Sequence, residues 1–91
     1  MTQPPPLSAD VGRPDKRPRL AELPVGKGGR VVQIAGADEV TMRLLEMGLT
    51  PGAEVAVVGQ APLGDPLELE VRGYRLSIRK SEAARVEIEP L

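Results

Sequence analysis

The chain has 91 residues, with 12 basic and 13 acidic side chains and neither cysteine nor histidine. Such a length holds one small domain that buries roughly 60% of the surface of its unfolded chain. The missing thiols and imidazoles exclude disulfides, thiolate metal sites and the commonest general base and transition-metal ligand together.

Residues 1–19 are Pro-rich and polar, and they hold Arg13, Lys16, Arg17 and Arg19 against Asp10 and Asp15. This composition predicts a disordered N-terminal extension, with a basic tether to anionic membrane as the functional alternative. The rest of the chain is mildly acidic, a poor surface for nucleic acid. Tyr74 is the lone aromatic residue, which speaks against proline-peptide grooves and single-stranded nucleic-acid platforms, since both use several aromatic faces. No basic-then-apolar leader opens the sequence and its apolar runs are too short to span a bilayer, so a cytoplasmic location is expected.

Leu20, Leu23 and Val25 begin the predicted folded domain, residues 20–91. The loop Lys27-Gly28-Gly29 has neither the spacing nor the hydroxyl of a phosphate-binding loop. A first strand is predicted over Arg30–Ala35, ended by Gly36. Asp38 then suits a helix N-cap and Glu39 the first turn, where the helix dipole favours a carboxylate. The adjacent pair reads as capping rather than a metal site, because no third ligand lies in sequence reach. The helix runs to Met47 with Val40, Leu44 and Met47 as its inner stripe. Met42 and Leu45 fall beside that stripe and make the helix more apolar than a small core requires, which points either to simple core enlargement or to a contact surface.

Gly48 follows as the residue able to enter a left-handed helix end without a Cβ penalty, and Leu49 is expected to fold back on Leu44 in a Schellman-type close. Thr50-Pro51-Gly52 prevents further helix. Strands are predicted over Glu54–Gln60, around Leu67–Val71, around Leu76–Ile78 and around Val86–Ile88. In the last three, apolar residues alternate with charged or polar ones that form a solvated face, Glu87 among them. Pro62 and Gly64 give the loop Ala61–Pro66 type I turn chemistry with Leu63 near its tip. Arg72-Gly73 is a two-residue hairpin link, although Arg is not the preferred residue there. Arg75 and Arg79 can pair across strands with Glu68 or Glu70, and a Ser81-capped helical turn fits between the last two strands. This inventory predicts a mainly β fold, a small SH3-like five-stranded barrel with a short α-helix after the first strand and a single helical turn before the last.

Arg43-Leu44-Leu45-Glu46-Met47-Gly48-Leu49-Thr50-Pro51-Gly52, Ala61-Pro62-Leu63-Gly64-Asp65-Pro66, Leu76-Ser77-Ile78-Arg79-Lys80 and Val86-Glu87-Ile88-Glu89 together resemble the FeoA family, over about Leu20–Leu91. The resemblance implies a cytosolic accessory protein of bacterial ferrous iron uptake that works by protein–protein interaction with FeoB, the membrane transporter with a GTPase domain. It further implies partner contacts at Met42, Leu45, Met47, Leu49, Leu63 and Asp65, recruitment to the inner membrane face through that partner, and no cofactor. Self-association stays open, as does the alternative of a generic SH3-like module for RNA or another protein. Related barrels end iron-responsive repressors, but the DNA-binding and metal-sensing parts of those are missing from this chain. The residues also argue against an enzyme, because the serines and Tyr74 have no histidine or cysteine to work with.

Overall fold

The computed structural model describes residues 17–91, so most of the extension expected over residues 1–19 lies outside the described residues. Five strands, β1 (Gly28–Ile34), β2 (Glu54–Gln60), β3 (Leu67–Val71), β4 (Tyr74–Ile78) and β5 (Val86–Pro90), form one antiparallel sheet in the order β4-β3-β2-β1-β5. Helix α1 (Glu39–Glu46) joins β1 to β2, the short helix α2 (Lys80–Ala83) joins β4 to β5, and a 3-10 turn (Leu20–Glu22) precedes β1. The register shifts between Val31 and Gln33 on β1 and between Val57 and Gly59 on β2. An extra residue at such a bulge bends its strand and raises the local twist. The sheet thereby curls around a core in which Leu20, Leu44, Leu49, Val57, Leu69 and Ile88 are wholly enclosed. This is the expected SH3-like architecture, with β4 and β5 as its two edges.

β1 starts two residues before the expected strand. A Cβ on Gly29 would lie 2.9 Å from Ile88 Cδ1 and 3.1 Å from the Glu89 carbonyl oxygen. The glycine run therefore serves the close approach of β5 rather than a loop.

Two further differences occur beside β5. The Ile88 N–H donates to the Pro18 carbonyl at 3.0 Å, and Arg19 bridges to Glu87. Pro18 and Arg19, expected in the extension, thus lie along the β5 edge. Glu87, expected on a solvated face, is only 3% exposed. Its carboxylate lies 3.6 Å from the Arg19 guanidinium and 3.8 Å from that of Arg17, and the Gln33 amide stands 3.4 Å from both oxygens. A buried carboxylate needs such partners, since desolvation of an uncompensated charge is costly.

Candidate partner-binding surface

Helix α1 forms where Asp38 accepts the Thr41 amide N–H at 3.3 Å. Arg85 reaches the same carboxylate oxygen at 2.6 Å. Its guanidinium, then the Thr41 amide, hold the Asp38 carboxyl down at about 2, below the ordinary 3.8. The inward face differs from the expected stripe. Thr41 and Leu44 are buried, while Val40 and Met47 are half-buried. The Thr41 hydroxyl donates to the Ala35 carbonyl at 3.1 Å, and this satisfied bond is what allows a polar residue to occupy an inner position. Met42 is left 58% exposed and Leu45 half-buried.

The helix ends as its glycine predicts. Gly48 has φ +107°, the Leu49 N–H donates to the Leu44 carbonyl at 3.1 Å, and the Gly48 N–H to that of Leu45 at 3.0 Å. Those two bonds are the 6→1 and 5→2 pair of a Schellman motif. The Tyr74 hydroxyl donates to the Met47 carbonyl at 2.5 Å, and Arg72 donates to the Thr50 hydroxyl at 3.0 Å. Arg72 adopts φ 53° and Gly73 φ 88°, the signs that a type I′ hairpin demands. The corner after α1 is thereby fastened to the tip of the β3–β4 hairpin.

The other end of that hairpin carries the Ala61–Pro66 loop. The Gly64 N–H donates to the Ala61 carbonyl at 2.7 Å, which closes the expected turn. Leu63 at its tip is 96% exposed. Asp65 accepts the Lys80 N–H at 2.9 Å, so a loop carboxylate stands at the start of α2 where Ser81 was expected to act. Glu82 of α2 accepts the Arg79 N–H at 3.0 Å with one oxygen and Arg43 of α1 with the other. Arg79 therefore serves the start of α2, and only Arg75 meets a strand glutamate directly opposite, Glu70.

These bonds locate all six predicted contact residues. Met42, Leu45 and Met47 belong to α1 and its end. Leu63 and Asp65 lie on the Ala61–Pro66 loop, which Asp65–Lys80 ties to α2, and Glu82–Arg43 ties α2 to α1. Leu49 must be corrected: it is wholly enclosed in the core, because the Schellman turn folds it inward, and it offers no surface to a partner. Met47 is half-buried with its carbonyl already engaged. The two sets are spread along β4, since Val71 pairs with Tyr74 at the corner and Leu67 with Ile78 at the loop, about 13 Å apart at 3.3 Å per residue. Tyr74, 43% exposed beside the corner, is a surface residue that the sequence reading missed. Its position opposite Gly48 depends on the hairpin register and leaves no local signal.

Of the six, Met42 and Leu63 are exposed apolar side chains and Leu45 is half-buried. A separate concavity of about 360 Å³ lies among Glu54, Ala56, Glu70, Arg72 and Leu91, and none of the six residues lines it. Among the described residues no three acidic side chains converge as metal ligands would. No described helix is long and apolar enough to cross a membrane.

Comparison with known proteins agrees with this geometry. The family model described as FeoA domain matches residues 19–90. The Fe(2+) transport protein A/Fe(2+) transporter FeoB fusion protein of Porphyromonas gingivalis is 38% identical over 71 residues, which cover 78% of this chain and 8% of the fusion protein. A FeoA-like protein from Clostridium acetobutylicum superposes with a TM-score of 0.78 at 38% identity, over 84% of this chain and 88% of that one. The Stenotrophomonas maltophilia FeoA solved with zinc, described as a procaryotic SH3 domain protein and a candidate activating factor of ferrous iron transport, matches at a TM-score of 0.69. It is 36% identical, over 78% of this chain and 88% of its own.

Proposed function

Because the chain belongs to the FeoA domain family, we propose that it is an accessory subunit of a FeoB-type ferrous iron transporter. It docks on the cytosolic side of that protein through Met42, Leu45 and Leu63. The observation that carries this reading is the fusion relative, in which a segment 38% identical to this chain shares one polypeptide with a transporter. A covalent tether supplies an effective concentration in the millimolar range. Exposed apolar residues give this chain a contact surface for such a transporter. Met42 suits the role because an unbranched thioether adapts its shape to a partner. Leu63, on a loop tip held at Asp65, presents a side chain that water solvates poorly. The role is one of contact, so iron and nucleotide chemistry stay with the transporter.

The test is a titration of a detergent-solubilised FeoB-type transporter with this chain and with Met42→Asp, Leu63→Asp and Leu45→Asp. Placing a charge in an apolar contact costs on the order of 2 kcal/mol or more at a central residue, so binding weakens at least about ten-fold. Met42 and Leu63 are exposed, so their variants keep the fold, whereas half-buried Leu45 needs a circular-dichroism control. Equal binding by all four proteins refutes the surface. Failure of the wild type to bind refutes the function.

A further inference from the structure

The two edges of the sheet are treated differently. β5 is lined by Pro18 and Arg19, a short segment that covers the edge with a proline and a charge, both of which discourage strand addition. Among the described residues β4 has no such cover. Its ladder with β3 is regular through all five pairs, Val71↔Tyr74 to Leu67↔Ile78, without a bulge. In an antiparallel hairpin closed by two residues, alternate residues of β4 turn their N–H and C=O toward β3. Those are Tyr74, Leu76 and Ile78, so the backbone groups of Arg75 and Ser77 point outward. No described hydrogen bond outside the ladder uses them.

We propose that the β4 edge is a self-association site, at which a second copy of this chain adds its own β4 antiparallel across a two-fold axis at Leu76. In that register Arg75 and Ser77 of one copy exchange backbone hydrogen bonds with Ser77 and Arg75 of the other. All four outward amide and carbonyl pairs are thereby satisfied. Half-buried Leu76 lies against Leu76 of the second copy, and Tyr74 pairs in register with its Ile78, whose side chain stays in its own core. On the solvent face each Arg75 stands between Glu70 of its own β3 and the Ser77–Glu68 pair of the second copy. No like charges lie directly opposite, the arrangement that cross-strand pairing favours. Unpaired edge groups among the described residues, Leu76 facing Leu76 and charges that alternate across the axis all select the same occupant. Two five-residue strands make an interface at the small end of the range for specific contacts, so the dimer is weak and reversible.

This inference goes beyond the transporter reading and does not rest on it. It is tested on the full chain by sedimentation equilibrium between about 10 μM and about 1 mM, with amide hydrogen exchange at both limits. Wild type is expected to shift from monomer to dimer, with the Arg75 and Ser77 amides alone in β4 gaining protection as concentration rises. Ser77→Pro removes an outward N–H that β3 does not use, so it keeps the monomer fold and abolishes the dimer. Ser77→Arg faces Glu68 within its own sheet but Arg75 of the second copy, and it weakens the dimer about ten-fold. The inference is overturned if wild type stays monomeric throughout, or if both variants dimerise as wild type does. Protection that appears at another element and not at Arg75 and Ser77 overturns it equally.

Discussion

The corner after α1 makes the most exacting test of the fold, through Gly48→Ala. At φ +107° an L-residue is strained, and the left-handed region costs about 1–2 kcal/mol for a side chain with a Cβ. A Cβ there would also stand 2.5 Å from the Tyr74 hydroxyl oxygen, so the tyrosine must swing away from the Met47 carbonyl. Loss of that hydrogen bond adds about 0.5–1.5 kcal/mol. Together the two effects come to about 1.5–3.5 kcal/mol, which in urea, with a slope near 1 kcal/mol/M for so small a domain, lowers the midpoint by about 1.5–3.5 M. A double-mutant cycle separates the contributions. Tyr74→Phe alone costs about 1 kcal/mol, and the end of the ring, 3.7 Å from the added Cβ, is then in ordinary contact. In the Tyr74→Phe background Gly48→Ala should cost only the backbone part, leaving a coupling of about 1 kcal/mol. A single-variant cost below about 0.5 kcal/mol, or strictly additive costs in the cycle, would refute the reasoning.

The Arg17–Arg19–Glu87 cluster is more than a surface ion pair, because the carboxylate side chain is 5% exposed against 38% and 29% for the two arginines. Removing one partner of a buried pair costs about 3–5 kcal/mol and of an exposed pair about 0–1. Arg19→Ala should therefore fall between, at about 1–2 kcal/mol, and the Arg17→Ala/Arg19→Ala double variant should lose more, with Glu87→Gln recovering part of it; chemical denaturation reads all three. A double variant as stable as wild type would show that residues 17–19 are not part of the folded unit. Asp38 supplies a pH signature of known sign. Its carboxyl is held at about 2 in the folded chain against 3.8 ordinarily, so the stabilisation it provides is complete above 3.8 and disappears as pH falls through about 2. The stability difference between wild type and Asp38→Asn, followed by acid titration, should shrink within that window; a difference independent of pH there would mean that Arg85 does not hold the carboxylate.

Where local rules act, the sequence made the fold legible. The limits of β2 and β3, the N-cap at Asp38, the glycine end at Gly48 and the Arg72-Gly73 hairpin all follow from residues within one turn or one strand of each other. The readings that needed correction depend on distant parts of the chain. Glu87 alternates like a solvated residue, and distant parts of the chain enclose it, Arg17 and Arg19 along β5 and Gln33 on β1 among them. Thr41 is polar by type, and the Ala35 carbonyl that admits it to the inner face is supplied by the end of β1. Asp65 replaces Ser81 at the start of α2 because the β3–β4 pairing brings the loop there. Leu49 is the instructive case for the candidate site. The same Schellman geometry that the sequence predicts turns it into the core, so its apolar character says nothing about a partner.

That distinction sharpens what the exposed residues mean. In a domain of this size nearly every large aliphatic side chain is needed inside, and among the described residues only Val25, Met42, Leu63, Tyr74 and Leu91 stay substantially exposed. Tyr74 is accounted for by its bond to the Met47 carbonyl. Met42 and Leu63 have no such described bond, yet the segments that bear them are tied to neighbouring elements: α1 by Asp38–Arg85 and Arg43–Glu82, the loop by Asp65–Lys80. Bonds that hold the backbone beneath two exposed apolar side chains lower the entropy that the proposed partner must overcome on docking. Substitutions at Met42 and Leu63 can therefore change binding while leaving stability within about 0.5 kcal/mol of wild type. On the proposed docking surface, substitutions at Arg43 or Asp65 are expected to weaken binding of the transporter in the same titration.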